Sequence, residues 1–144
     1  LPPQPESAAR ARAAECRRLG ITVRRSIAAS LPSVRGDAVL LQQAFHNILV
    51  NAEQAIGAAP GGRIEVNARL RRDRLVVDIR DNGPGLAPDV ADRLFEPFVT
   101  TREGGSGLGL AITARIVREF GGDVTAAARE GGGAVFTVSL PVVT

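Results

Sequence analysis

The sequence contains no lysine, tryptophan, tyrosine or methionine, and only one cysteine and one histidine. A single Cys16 cannot form an internal disulfide, so the chain is expected in a reducing, cytosolic setting. Aromatic residues make up 3% of the chain, all phenylalanine. That is too few to interleave with basic residues as a stacking platform, so no nucleic-acid partner is expected. The pI of about 10.8 does not alter this. Net charge is only +3, and no lysine or tyrosine titrates near about pH 10 to pull the pI down. No apolar run approaches the roughly 18 residues of a membrane span, so no membrane contact by this domain is expected. There is no signal peptide, and the first residue is Leu1 rather than methionine. The chain is therefore expected to be an excerpt of a longer, cytoplasmic protein or cytosolic portion.

What is present suits one compact domain. The chain has 144 residues, 44% of them hydrophobic, enough to bury a core. Residues 1–7 are proline-rich and read as a linker. Residues 8–19 are Ala/Arg-rich and could be helical up to Gly20. Residues 1–19 are thus assigned to a tail from an upstream region, and 20–144 to the folded domain. Ile21 to Ala28 alternates loosely, as a strand does. Asp37 can cap a long helix to about Ala58. Its apolar stripe is Leu41, Phe45, Ile48, Ala52 and Ile56. Ile64 to Leu70 and Leu75 to Ile79 alternate around a turn near Arg72-Asp73, which predicts a hairpin. Arg69, Arg71, Arg72 and Arg74 read as its solvated tip. Pro88 can start a short helix reaching Phe95. A further helix from Gly107 packs Leu108, Ile112, Ile116 and Phe120 and stops at Gly121-Gly122. Val124 to Ala128 and Ala134 to Leu140 form a last hairpin. Recurring hairpins between helices predict an α+β fold: a mixed, mostly antiparallel sheet with helices on one face.

Three motifs bear on chemistry. Gly105, Gly107 and Gly109 form a glycine loop that opens a helix, a ready anion site of free N–H groups and dipole charge. No lysine follows it, which excludes a P-loop, and the dinucleotide spacing Gly-x-Gly-x-x-Gly fails as well. Asn47 and Asn51 lie four apart, about 40° from one another round a helix. They suit oxygen ligation of a hard cation such as Mg²⁺; taken alone, they equally suit a polar helix surface. Asp81-Asn82-Gly83-Pro84-Gly85 follows a strand. It reads either as an ordinary Asn-Gly turn or as a carboxylate poised for an exocyclic amine, with Gly83 and Gly85 letting the backbone approach a flat ring.

The order of these motifs resembles the ATP-binding catalytic domain of sensor histidine kinases, in the superfamily of DNA gyrase, heat-shock chaperones and mismatch-repair ATPases. Residues 46–55 (HNILVNAEQA) match the asparagine box, and Asp81 to Gly85 the first glycine box. Residues 94–98 (LFEPF) match the phenylalanine box, and Gly105 to Leu110 the second glycine box. Residues 132–136 (GGAVF) match the last glycine–aromatic element, and the resemblance covers about residues 20–141. It implies a two-layer α/β sandwich with three main helices on one face. It implies ATP and Mg²⁺ as cofactors, with Asn51 ligating Mg²⁺ and Asn47 assisting. Asp81 would bind the adenine amine, with Gly85 beside the ring and Gly83 in the same cofactor-binding loop. Gly105, Gly107 and Gly109 would cradle phosphates, with Ser106 and Leu108 between them. Thr100, Thr101 and Arg102 would begin the ATP lid, anchored by Phe95 and Phe98. Many relatives carry a lysine where this chain has Gln54, and Arg102 is the nearest candidate replacement.

Hydrolytic relatives place a glutamate where this chain has Asn47. Glu53 cannot substitute, being about 160° round the helix from Asn51. The resemblance therefore implies a protein-histidine kinase, with γ-phosphate transfer favoured over hydrolysis; an ATP-hydrolysing or nucleotide-sensing domain is the alternative. His46, the only histidine, is followed by asparagine rather than an acidic residue, so the phosphoacceptor is expected elsewhere. The implied partners are an upstream dimerisation and phosphoacceptor domain, dimeric in the full protein, and a response-regulator receiver domain. The phenylalanine box and the residues 100–102 (TTR) resemble those of nitrogen- and dicarboxylate-sensing kinases.

Overall fold

A computed structural model describes residues 21–27, 34, 37–57, 61–85, 93–96, 109–129 and 132–142. In chain order the elements are β1 (Thr22–Ile27), α1 (Ala38–Ile56), β2 (Arg63–Arg71), β3 (Arg74–Asp81), α2 (Gly109–Glu119), β4 (Asp123–Ala128) and β5 (Ala134–Pro141). The five strands form one sheet in the order β1-β2-β3-β5-β4. Only β1 and β2 run parallel; the other pairs are antiparallel. The expected mixed, mostly antiparallel sheet is what forms. α1 packs over β2 and β3, α2 over β4, and the two helices pack on each other.

Helix α1 starts and stops as its sequence directs. Asp37 Oδ1 accepts from Val39 N–H at 2.9 Å and Leu40 N–H at 3.0 Å, satisfying donors that have no partner inside the helix. Gly57 ends it, its N–H donating to the Glu53 carbonyl at 3.0 Å. Leu41, Phe45, Ile48, Ala52 and Ile56 are all buried, and burying each of the four larger side chains stabilises by about 1.5–3 kcal/mol. They lie over β2 and β3, in one core cluster with Ile64, Val66 and Ala68 of β2, Leu75, Val77 and Ile79 of β3, and Phe136, Val138 and Leu140 of β5.

Three expectations need correction. Among the described residues there are two helices. Of the expected helix from Pro88, residues 86–92 lie outside the described residues. Arg93 to Glu96 form a turn closed by Glu96 N–H on the Arg93 carbonyl at 3.0 Å. The stripe expected on α2 is also displaced: Ile112 is 41% exposed, and the buried residues are Thr113, Ala114, Ile116 and Val117. Thr113 and Ala114 are small enough to let α2 come close to α1, where Thr113 Oγ1 lies 3.4 Å from the Ala44 carbonyl. Leu108 lies outside the described residues. α2 ends as expected at Gly121-Gly122, where Gly122 N–H reaches the Val117 carbonyl at 2.9 Å and Gly121 N–H the Arg118 carbonyl at 3.0 Å, a Schellman pair.

The hairpin turn falls at Arg72-Asp73, and Arg71 and Arg72 are exposed as expected of a solvated tip. Arg69 and Arg74 are not simply solvated. Asp78 points away from the helices, since Val77 and Ile79 point towards them, yet it is only 4% exposed. Its carboxylate is held by Arg69 Nη1 at 2.6 Å and by Thr137 Oγ1 at 2.9 Å. Arg74 donates to Ser139 Oγ at 3.3 Å and to the Gly121 carbonyl at 3.2 Å.

Candidate functional site

Of the residues singled out in the sequence, Asn47, Asn51, Asp81, Gly83, Gly85 and Gly109 are described, and α1 links them. Asn47, Asn51 and Ala55 are spaced four apart and so form one ridge of α1, about 12 Å long. At one end, Asn47 Nδ2 donates to the carbonyl of Gly109, the first residue of α2, at 3.1 Å. Thr113 Oγ1 donates to the same carbonyl at 3.0 Å. At the other end, a Cβ built on Gly83 would lie 3.1 Å from the Ala55 main chain. Asn51 stands midway, half-buried. One helix ridge thus joins the start of α2 to the Asp81–Gly85 loop.

Asp81 is the last residue of β3 and is 1% exposed. Its Oδ1 accepts from Gly83 N–H at 2.9 Å. Its Oδ2 is buried, and among the described residues no group hydrogen-bonds it. Burial pushes the carboxyl above its ordinary range, opposed by the Gly83 and Ala134 N–H groups and the Arg129 charge. An unpaired buried carboxylate oxygen costs free energy and is rare enough to need a partner from water, an ion or a ligand. The chemistry it offers is acceptance of an N–H.

The loop after Asp81 is built by backbone approach. Gly85 has φ +88, and a Cβ there would lie 3.1 Å from the Gly133 carbonyl oxygen; a Cβ on Gly133 would in turn strike the Asp81 carbonyl. Gly133, which the resemblance placed in the last glycine–aromatic element, therefore presses the β4–β5 connection against the Asp81 main chain. Arg129 braces the same connection. Its N–H donates to the Gly133 carbonyl at 2.8 Å, and its Nη2 reaches Glu65 Oε1 at 3.3 Å. The pairing of Asp81 with Ala134, which brings these groups together, joins residues 53 apart in the chain, so no local pattern reveals it.

Other expected positions divide cleanly. Gly109 is the first residue of α2. Thr100, Thr101, Arg102, Gly105, Ser106, Gly107, Leu108 and Phe98 lie outside the described residues. Phe95 packs edge-on to Phe136, centroids 6.1 Å apart and planes at 87°. His46 is half-buried, Gln54 is exposed and Glu53 is buried. Among the described residues, no group of three or more His, Cys, Asp and Glu could hold a metal ion, and no helix is long and apolar enough to cross a membrane.

Residues 36–144 match the family of histidine kinase-, DNA gyrase B- and HSP90-like ATPases. The chain belongs to that ATPase family. Over 112 residues, or 74% of its length, this ATPase-family domain is 48% identical to the nitrogen regulation protein NtrY of Azorhizobium caulinodans, covering 14% of that protein. It is 39% identical to the sensor histidine kinase ZraS of Salmonella typhimurium over 79% of its length and 24% of that protein. The domain thus spans about a seventh to a quarter of these relatives. Among solved structures it is similar to the catalytic domain of histidine kinase ThkA, with a TM-score of 0.86 and 25% identity, covering 96% of this chain and 90% of that one. The expected α+β fold of this ATPase family is therefore the one observed.

Proposed function

We propose that this domain binds Mg-ATP and transfers the γ-phosphate to a histidine on a separate dimerisation and phosphoacceptor domain of a sensor histidine kinase. The observation that carries the reading is Asp81 Oδ2: a buried acceptor without a partner among the described residues, at one end of the ridge that carries both asparagines. In this reading Oδ2 accepts from the adenine amino group, and Gly83 and Gly85 let the loop beside the ring pack against Ala55 and Gly133. Asn51 and Asn47 would supply amide oxygens to Mg²⁺, a hard cation that takes few protein ligands and completes its shell with phosphates and water. The Asn47 donor is engaged by Gly109, which leaves its Oδ1 for that contact. A bound Mg²⁺ supplies charge neutralisation on the phosphates. The start of α2 adds N–H groups and dipole charge, with Gly105 and Gly107 ahead of it and Thr100 to Ser106 as the lid.

Transfer rather than hydrolysis is supported by Asn47 itself. An amide that donates to a main-chain carbonyl cannot take a proton from water. A neutral imidazole needs no such base, so positioning and electrostatics carry the reaction. The partners in this reading are the acceptor domain, on a homodimer of the longer protein, and a response-regulator receiver domain that takes the phosphoryl group onward. The setting is the cytoplasmic side of the cell, whether or not the longer protein is membrane-bound.

The experiment is transfer of labelled γ-phosphate from ATP to a supplied acceptor domain. Transfer is expected with the wild-type chain and lost in Asn51→Ala. Equal transfer by that variant, or substantial ATP turnover without any transfer, would sink the proposal.

A further inference from the structure

The residue after Asp81 does something an ordinary turn residue does not. Ile64 pairs with Asp81, so the next pair outward is Arg63 with Asn82. Asn82 N–H donates to the Arg63 carbonyl at 3.2 Å, as an antiparallel ladder requires. The return bond is different. Arg63 N–H donates to Asn82 Oδ1, at 2.7 Å, and not to the Asn82 main-chain carbonyl. The same side chain donates through Nδ2 to the Gly61 carbonyl at 3.0 Å. The Asn82 carboxamide therefore takes the place of main chain for one rung of the sheet. The real main chain is released from β2 and turns into Gly83, whose N–H is captured by Asp81 Oδ1 at 2.9 Å.

We propose that Asn82 is the positioning residue of the purine pocket: its carboxamide, clasped between Arg63 N–H and the Gly61 carbonyl, sets the angle at which the chain leaves β3 and so holds Asp81 Oδ2 against the amino group of adenine. This rests on the reading of Asp81 given above. Successive strand side chains point to opposite faces, so Asn82 does not share the Asp81 pocket and acts only through its neighbour. Asparagine is required because the clasp needs one acceptor and one donor on a short side chain. Aspartate keeps the acceptor but sets a carboxylate against the Gly61 carbonyl. Alanine keeps neither. Asn82 is exposed, so water can replace its bonds to Arg63 and Gly61, and its loss should leave the fold standing.

The test compares equilibrium binding of ATP with that of purine riboside 5′-triphosphate, which lacks the 6-amino group, by the full chain in the presence of Mg²⁺. The wild type should prefer ATP by on the order of tenfold to a hundredfold, the cost of leaving a buried acceptor unpaired. In Asn82→Ala the preference should collapse to about twofold because ATP binding weakens, while the purine analogue binds as before. Asn82→Asp should fall between, and it serves alone if the alanine variant does not fold. Retention of the wild-type preference in either variant overturns the inference. Equal weakening for both ligands also overturns it, because it assigns Asn82 to general loop integrity. A wild type that binds ATP without preferring it over the analogue sinks the reading of Asp81 and the inference together.

Discussion

Asn47 Nδ2 donates to the carbonyl of Gly109 at 3.1 Å, tying the middle of α1 to the first residue of α2 across 62 positions of sequence. The bond fixes where α2 begins, and with it the direction of the N–H groups at its start. Two segments that the chain keeps far apart are thereby held as one surface.

Asn47→Ala is expected to cost about 1 kcal/mol of stability, the net worth of a partly buried hydrogen bond. Its effect on ATP binding should be larger, because the start of α2 loses its tether and the bound Mg²⁺ would lose an amide oxygen. Urea unfolding and equilibrium ATP binding measure the two. A variant that loses stability but binds ATP as the wild type does would show that the tether serves packing alone.

Asp81 predicts a pH dependence of definite sign. Burial raises its carboxyl above the ordinary 3.8, with the Gly83 and Ala134 N–H groups and Arg129 acting in the lowering direction. The folded chain therefore holds that proton more tightly than the unfolded chain. The ligand-free protein should lose stability as pH rises from the ordinary value through the raised one. Asp81→Asn removes this contribution. Unfolding free energies of the two proteins between about pH 4 and pH 7 should diverge, the wild type falling relative to the variant with rising pH. Parallel profiles would exclude Asp81 as a proton-linked group.

Phe136 lies on β5 between β3 and β4, fully buried, with Phe95 edge-on at 6.1 Å. Phe136→Ala should destabilise by about 3–5 kcal/mol, read as a lowered urea midpoint at unchanged slope. Phe95→Ala should cost less, since Phe95 is half-buried. The reverse order would mean that the 93–96 turn, rather than the sheet, anchors this part of the core.

Much of the architecture was legible because it depends on short-range rules. The period of Leu41, Phe45, Ile48, Ala52 and Ile56 defines a buried helix face, and the Asp37 and Gly57 caps bound it. Alternation in β2, β3 and β5 defines which side meets that face. On α2 the same rule misled. Apolar residues at 108, 112, 116 and 120 suggested one stripe, but close packing against α1 favoured Thr113 and Ala114 and left Ile112 outside. Arg69 shows the same limit. As one of four nearby arginines it reads as solvated, until β3 and β5 bring Asp78 and Thr137 beneath it.

The order of the asparagine and glycine motifs, read by resemblance, pointed to the ATPase family, and the absence of lysine excluded a P-loop. The chemistry of each site residue was likewise written in its type. The tertiary structure alone decided that Asp81 Oδ2 would be buried and without a partner among the described residues, that Gly133 and Arg129 would close on its main chain, and that Asn82 would stand in for a rung of the sheet. These features arise from pairings between residues 19 to 64 apart in the chain, Arg63 with Asn82 and Arg129 with Glu65 among them. Strand register, not local propensity, sets such pairings.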